Sequence, residues 1–161
     1  VNQSIILGVR EMLKEFVEKK HYKFAKSAKD WKDAIRMSCE VLEADGTVEE
    51  NYKEDLIKCV EKYGPYIVIM PGLAMPHSQE FAEGVHKTEI AFMKLDQPVS
   101  FDPTDHDKDA ILFFTLASCN TDQHLDNMSR LAEMLSNEEL VEELKEAKGP
   151  EDLLALEEKY F

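Results

Sequence analysis

No stretch of this 161-residue chain approaches the length of about eighteen apolar residues that a membrane-spanning helix requires; the longest clear apolar run is Ala110 to Ala117. Its first residues also lack the charged-then-apolar pattern of a secretory leader, so a cytoplasmic protein is expected. Cysteine is scarce: Cys39, Cys59 and Cys119 form an odd set without a Cys-x-x-Cys pair, which argues against a disulfide framework or a zinc ribbon. Reduced thiols are expected, Cys39 and Cys59 serving as helical core filler. Lys and Arg total 19 against 33 Asp and Glu, a net charge of −14 that repels phosphate backbones. With no basic stripe interleaved with aromatics, nucleic acid is not expected as a partner; the acidity serves solubility, or steering towards a basic partner. Neither His-x-His nor His-Glu-x-x-His occurs, and carboxylates do not cluster at ligand spacing, so no metal or other cofactor is expected. The acidic loop Asp102 to Asp109 lacks the glycine bend and the flanking helices of a calcium loop. Internal repeats and low-complexity linkers are also missing.

What is present suits one domain over residues 1–161, with 43% hydrophobic content to fill a core. Ile5, Ile6, Val9, Met12, Leu13, Phe16 and Val17 recur at helical spacing, predicting an amphipathic helix over residues 4–20. His21 to Ala25 alternates as a short strand, with His21 a solvated turn residue. Asp30 caps a helix whose apolar side carries Trp31, Ala34, Ile35, Ser38, Val41 and Leu42, and Gly46 closes it in the left-handed region. Thr47-Val48-Glu49-Glu50 reads as a capping box for the next helix, which places Leu56 and Val60 on one face, with Tyr52 and Tyr63 nearby, and ends at Gly64-Pro65. Residues 80–85 read as a surface connection, Lys87 to Leu95 as a strand, and Pro98 to Phe101 as a short extended piece. Ala110 to Ala117, apolar on both faces, is the predicted middle strand. Beyond it Leu125, Met128, Leu131, Ala132 and Leu135 share a helical face. Ser136-Asn137-Glu138-Glu139 opens a helix that Gly149-Pro150 ends, and Glu151 to Lys159 forms the last one. Strands separated by helices point to an α/β domain.

The candidate site is a pair of histidines. Tyr66 to Met70 reads as a buried strand, and Pro71, Gly72 and Pro76 stiffen the loop that follows, holding His77 at its end. Such a loop on a rigid scaffold is where a reactive group belongs. His124 falls in the first turn of the helix after Ala117, where unpaired N–H groups and partial positive charge favour an anion such as a phosphoryl group. If the strands into Met70 and Ala117 run parallel side by side, the two histidines converge at one sheet edge. His86 reads as an exposed residue at a strand start, and His106 as a loop residue.

Gly64-Pro65-Tyr66, then Pro71-Gly72-Leu73-Ala74-Met75-Pro76-His77, then Glu83-Gly84-Val85 with Lys87-Thr88, resemble the IIA component of the bacterial phosphoenolpyruvate-dependent sugar phosphotransferase system. The likeness is closest to the ascorbate branch of the mannitol-fructose type and spans most of the chain. It implies a mixed β-sheet with helices on both faces. It further implies a phosphotransferase that takes a phosphoryl group from HPr onto His77, through Nε2, and passes it to a cysteine of the IIB component. The link to a membrane IIC permease is then indirect. His124 falls on the second histidine that lines the family's site. Family members often follow the reactive histidine with Gly-Arg, whereas this chain has Ser78-Gln79; Ser78 can donate a hydrogen bond to phosphoryl oxygens.

The chemistry suits the residues. An imidazole, with a reference pKa of about 6.5, offers a neutral nitrogen nucleophile at neutral pH. Phosphoryl transfer then asks mainly for in-line positioning and donors to the oxygens. The competing readings are a regulatory module that keeps the phosphorylatable fold, and a metal-dependent hydrolase using His77, His86 or His124.

Overall fold

The computed structural model describes residues 11–78 and 83–161. Its order is α1 (Met12–Glu18), β1 (Tyr22–Ala25), α2 (Trp31–Ala44), α3 (Tyr52–Tyr63), β2 (Val68–Met70), β3 (Gly72–Ala74), β4 (Glu89–Ser100), β5 (Asp109–Ala117), α4 (Thr121–Leu135), α5 (Glu138–Lys145) and α6 (Pro150–Tyr160). The strands form one mixed sheet in the order β1-β4-β5-β3-β2. β1 runs parallel to β4 and β3 parallel to β5, whereas β4 and β5 pair antiparallel, as do β2 and β3.

The period of two along a strand decides which core each side chain enters. On β4 and β5, Ala91, Met93, Leu95, Phe113 and Ala117 face α2 and α3, packing on Ile35, Cys39, Leu42, Tyr52 and Leu56. The alternate residues Ile90, Phe92, Leu112, Phe114 and Leu116 face the opposite layer, built from Leu13 and Phe16 of α1, Leu131 of α4, Leu140 of α5 and Leu153 of α6. Phe92 and Phe114 meet edge to face with ring centroids 5.3 Å apart, a preferred aromatic geometry. A strand buried on both faces is apolar along most of its length, which is why Ala110 to Ala117, with Thr115 its one polar residue, lacks alternation and occupies the middle position. Helices thus cover both faces of the sheet, as expected.

Local signals hold at α2, where Asp30 Oδ1 accepts from the Asp33 N–H at 2.8 Å and Gly46 follows the helix with φ of 80°. Removing this cap in Asp30→Ala is expected to cost about 1 kcal/mol, read as a lower denaturant midpoint with an unchanged slope. Gly149 and Pro150 likewise separate α5 from α6, with Pro150 at the first helical position, where its missing N–H costs nothing.

Several expectations need correction. His21 is no solvated turn residue: it is 3% exposed, and its Nε2 pairs with the Asp45 carboxylate at the end of α2. Its N–H donates to the Phe16 carbonyl at 2.8 Å, and its carbonyl accepts from Phe92 N–H at 2.9 Å, so it is tied both to α1 and to the sheet directly after the exposed turn at Lys19 and Lys20. Thr47 does not cap α3. Its side chain is buried, and the segment instead forms a bridge between Val48 and Val85, with Glu49 N–H donating to the Gly84 carbonyl at 2.8 Å. Asn51 stands at the helix start; Tyr52 is buried with Leu56 and Val60, and Tyr63 at the far end is exposed. At α5 the side-chain cap is Asn137, accepting from Leu140 N–H; Ser136 closes α4 instead. The two extended pieces around Pro98 are one strand, β4, whose register shifts between Lys94 and Val99 and so accommodates a proline that cannot donate to the ladder. Of the predicted first helix, residues 1–10 lie outside the described residues, as do residues 79–82 of the connection after His77.

Candidate functional site

The strand that delivers His77 differs from the one expected. Tyr66 to Met70 yields only the short edge strand β2, on which Ile69 is 44% exposed. The chain then reverses at Pro71-Gly72, Gly72 taking a φ of 88° that favours glycine, and Gly72–Ala74 returns as β3 between β2 and β5. The stiff loop is therefore itself mostly sheet. Met75 N–H donates to the Ile67 carbonyl at 2.7 Å, and Leu116 N–H donates to the Pro76 carbonyl at 2.8 Å, carrying the pairing up to the histidine. Pro76 needs no donor of its own there, so the proline fits a position where only a carbonyl is used.

Because β3 and β5 are parallel, their C-terminal ends share one edge of the sheet. His77 follows the first, and Ser118 with the start of α4 follows the second. Asn120 caps α4, its Oδ1 accepting from Gln123 N–H at 2.8 Å, and His124 N–H donates to the Asn120 carbonyl at 3.2 Å. The imidazoles of His77 and His124 come together with ring centroids 5.8 Å apart. The expected convergence is present, reached through β3 rather than β2.

Each ring has a fixed partner. His77 Nδ1 lies 2.6 Å from the Met75 carbonyl oxygen. A carbonyl only accepts, so in the neutral ring the proton sits on Nδ1 and the lone pair is on Nε2. His124 Nδ1 lies 2.9 Å from Ser118 Oγ. Burial lowers the pKa of His77; its bond to Met75 opposes this, and the neighbouring His124 adds to the lowering. Burial also lowers the pKa of His124. Both shifts favour the uncharged form, so the neutral imidazoles persist to lower pH than in a free histidine. In an NMR titration both rings are expected to titrate below the ordinary value of 6.5 and to be neutral at physiological pH; a ring titrating above it contradicts this electrostatic account.

Ser78 is half-buried beside α3, its Oγ 3.8 Å from Cys59 Sγ. Cys59 is thus a half-buried residue next to the site rather than plain core filler, whereas Cys39 is fully buried as expected. His86 is exposed, its Nε2 3.7 Å from a Glu49 oxygen, and His106 is 90% exposed against Asp109 at 3.2 Å. Leu125, expected on the packed face of α4, is 59% exposed next to His124. The buried face runs instead through Asn127, Leu131, Met134 and Leu135, and Leu125 is turned off it. Two further residues belong to the site without a clear signal in the sequence: Tyr66, whose hydroxyl donates to the His77 carbonyl, and Ser118, whose Oγ meets His124 Nδ1. The one mark on Tyr66 there is its place directly after Gly64-Pro65, eleven residues before His77. Among the described residues no group of three or more His, Cys, Asp or Glu could hold a metal ion, and no helix is long and apolar enough to cross a membrane.

Comparisons with known proteins bear on the family and the fold. Residues 15–159 match the family model described as phosphoenolpyruvate-dependent sugar phosphotransferase system, EIIA 2. The ascorbate-specific PTS system EIIA component of Shigella boydii serotype 4 is 32% identical over 140 residues, covering 86% of this chain and 90% of the relative. The mannitol-specific cryptic phosphotransferase enzyme IIA CmtB of Escherichia coli superimposes with a TM-score of 0.79 at 30% identity, over 91% of this chain and 98% of that one. Enzyme IIA for mannitol from Escherichia coli, solved in complex with phosphorylated enzyme IIB, gives a TM-score of 0.74 at 25% identity, over 87% and 95%. With a family model covering nearly the whole chain and a five-stranded mixed sheet like those of its structural relatives, the chain belongs to the EIIA 2 family of the phosphoenolpyruvate-dependent sugar phosphotransferase system.

Proposed function

We propose that this chain carries a phosphoryl group on His77, accepting it from the phosphohistidine of HPr and handing it to a cysteine of a IIB component that serves a IIC permease. The observation that carries the reading is the paired imidazole site, in which His77 Nδ1 is committed to the Met75 carbonyl and the ring stands 5.8 Å from that of His124. In the loading step the Nε2 lone pair attacks phosphorus and the nitrogen–phosphorus bond of the donor breaks, its electron pair returning to the donor imidazole. The Nδ1 proton of His77 stays on the ring, facing Met75. In the discharge step a IIB thiolate forms the sulfur–phosphorus bond as the bond to Nε2 breaks, and His77 leaves as a neutral imidazole.

His124 acts on the charge. In the tautomer in which Ser118 O–H donates to its Nδ1, 2.9 Å away, its own proton sits on Nε2, from which it hydrogen-bonds the phosphoryl oxygens as they move. Ser78 adds a further donor when its hydroxyl turns from Cys59. Loose phosphoryl-transfer transition states need positioning and oxygen donors more than covalent help, and this site supplies both. The ascorbate-specific relatives point to an ascorbate-like sugar as the cargo of the associated permease.

The test is to load the chain from pre-phosphorylated, metal-free HPr in excess chelator and then add IIB. Transfer to the chain and onward to the IIB cysteine is expected at the same rate with and without the chelator. If loading stops and magnesium restores it, the site is of another kind.

A further inference from the structure

The peptide between His77 and Ser78 is held at both of its polar ends by tyrosines. Tyr66 O–H donates to the His77 carbonyl, and the Ser78 backbone hydrogen-bonds the Tyr52 hydroxyl oxygen. Tyr52, the first residue of α3 and buried, in turn donates to the Leu116 carbonyl on β5 at 2.7 Å, so that end of the peptide is tied to the middle strand. Tyr66 does more than hold backbone. Its ring stands edge-on to the His77 imidazole, with centroids 5.1 Å apart and planes at 87°, and is itself braced by Tyr63 at 6.3 Å and 85°. His77 is therefore held at its backbone carbonyl, and its imidazole at Nδ1 and along its flank.

We propose that Tyr66 is a positioning residue for the phosphoacceptor, its hydroxyl and ring together holding the His77 imidazole with Nδ1 on the Met75 carbonyl and Nε2 turned towards the partner. An imidazole free to rotate about its side-chain torsions loses the Nδ1 anchor, and with it the single tautomer whose lone pair is on Nε2. Tyr66 contributes to transfer through that orientation and leaves the reacting nitrogen untouched. Its part in transfer rests on the carrier reading above; its part in orienting the ring does not.

The test uses Tyr66→Phe, which keeps the ring and removes only the hydroxyl, and Tyr66→Leu, which removes both. The tautomer of His77 is read by nitrogen-15 NMR on the unphosphorylated full chain, and transfer from phospho-HPr by rapid-quench kinetics. Wild type is expected to show a single His77 tautomer protonated at Nδ1. Tyr66→Phe is expected to show a mixture, with kcat lower by about fivefold and KM for phospho-HPr unchanged, as for a group that aims the nucleophile without binding the donor. Tyr66→Leu is expected to fall further, with His77 titrating at higher pH than in wild type as its flank opens to water. An unchanged tautomer and rate in Tyr66→Phe, or a loss seen only in KM, overturns the proposal. If Tyr66→Leu fails to fold, the phenylalanine variant decides alone. If wild type takes no phosphate on His77, the carrier reading falls, and the tautomer comparison still decides the role of Tyr66.

Discussion

His77→Ala is expected to take up no phosphoryl group at all from phosphoenolpyruvate, enzyme I and HPr, while wild type acquires an acid-labile, base-stable label. The loss should be complete because no other histidine among the described residues is placed to substitute. His124 is half-buried with its Nδ1 on Ser118, His21 is buried against Asp45, and His86 and His106 are exposed beside carboxylates that disfavour an approaching phosphoryl group. The variant should remain folded. His77 is only half-buried, and the pairing of Met75 and Pro76 with Ile67 and Leu116 uses backbone groups that alanine leaves in place. Radiolabelling after a fixed incubation reads the outcome, and full labelling of the variant would remove His77 from the mechanism.

His124→Ala should separate loading from delivery. The residue sits in the first turn of α4, off the buried face through Leu131 and Met134, so its removal should change stability by no more than the half kcal/mol or so typical of surface positions. On the proposed mechanism it gives up a donor to the charge that builds as the phosphoryl group moves. A lost preorganised donor commonly costs about a hundredfold where water is excluded, and less at a site that must open to protein partners. Label should still reach His77, while its delivery to the IIB cysteine slows by at least about tenfold. Rapid-quench kinetics of the loaded variant mixed with IIB measures this; a wild-type rate would reduce His124 to a bystander.

Much of this arrangement is legible in the chain. The apolar run of Ala110 to Ala117 declares a strand covered on both sides, Asp30 and Gly46 mark the ends of a helix, and two prolines with a glycine around His77 mark a fixed position. The same prolines and glycine concealed β3. Pro71 and Gly72 read locally as loop, and only pairing with β5, distant in sequence, shows that the turn they make folds a short strand into the sheet. The burial of His21 is hidden in the sequence for a related reason: its partner Asp45 lies 24 residues away, and nothing adjacent to a histidine in sequence announces a distant carboxylate. Thr47 to Glu50 has the letters of a capping box, yet the bridge between Val48 and Val85 claims that backbone first. Leu125 fits an apolar stripe by spacing, but a stripe fixes a helix face only to within a fraction of a turn, and the packing of α4 turned it outward. The paired histidines could be named from sequence; their orienting partners, the Met75 carbonyl, Ser118 and Tyr66, are contacts of the folded chain.

The central claim is that His77 Nε2 carries the phosphoryl group while Nδ1 keeps its proton on Met75. Nitrogen–phosphorus correlated NMR on the loaded wild-type protein tests this directly. The phosphorus should couple to Nε2 of His77, with Nδ1 still protonated; phosphate found on Nδ1, on His124 or on Ser78 would contradict it.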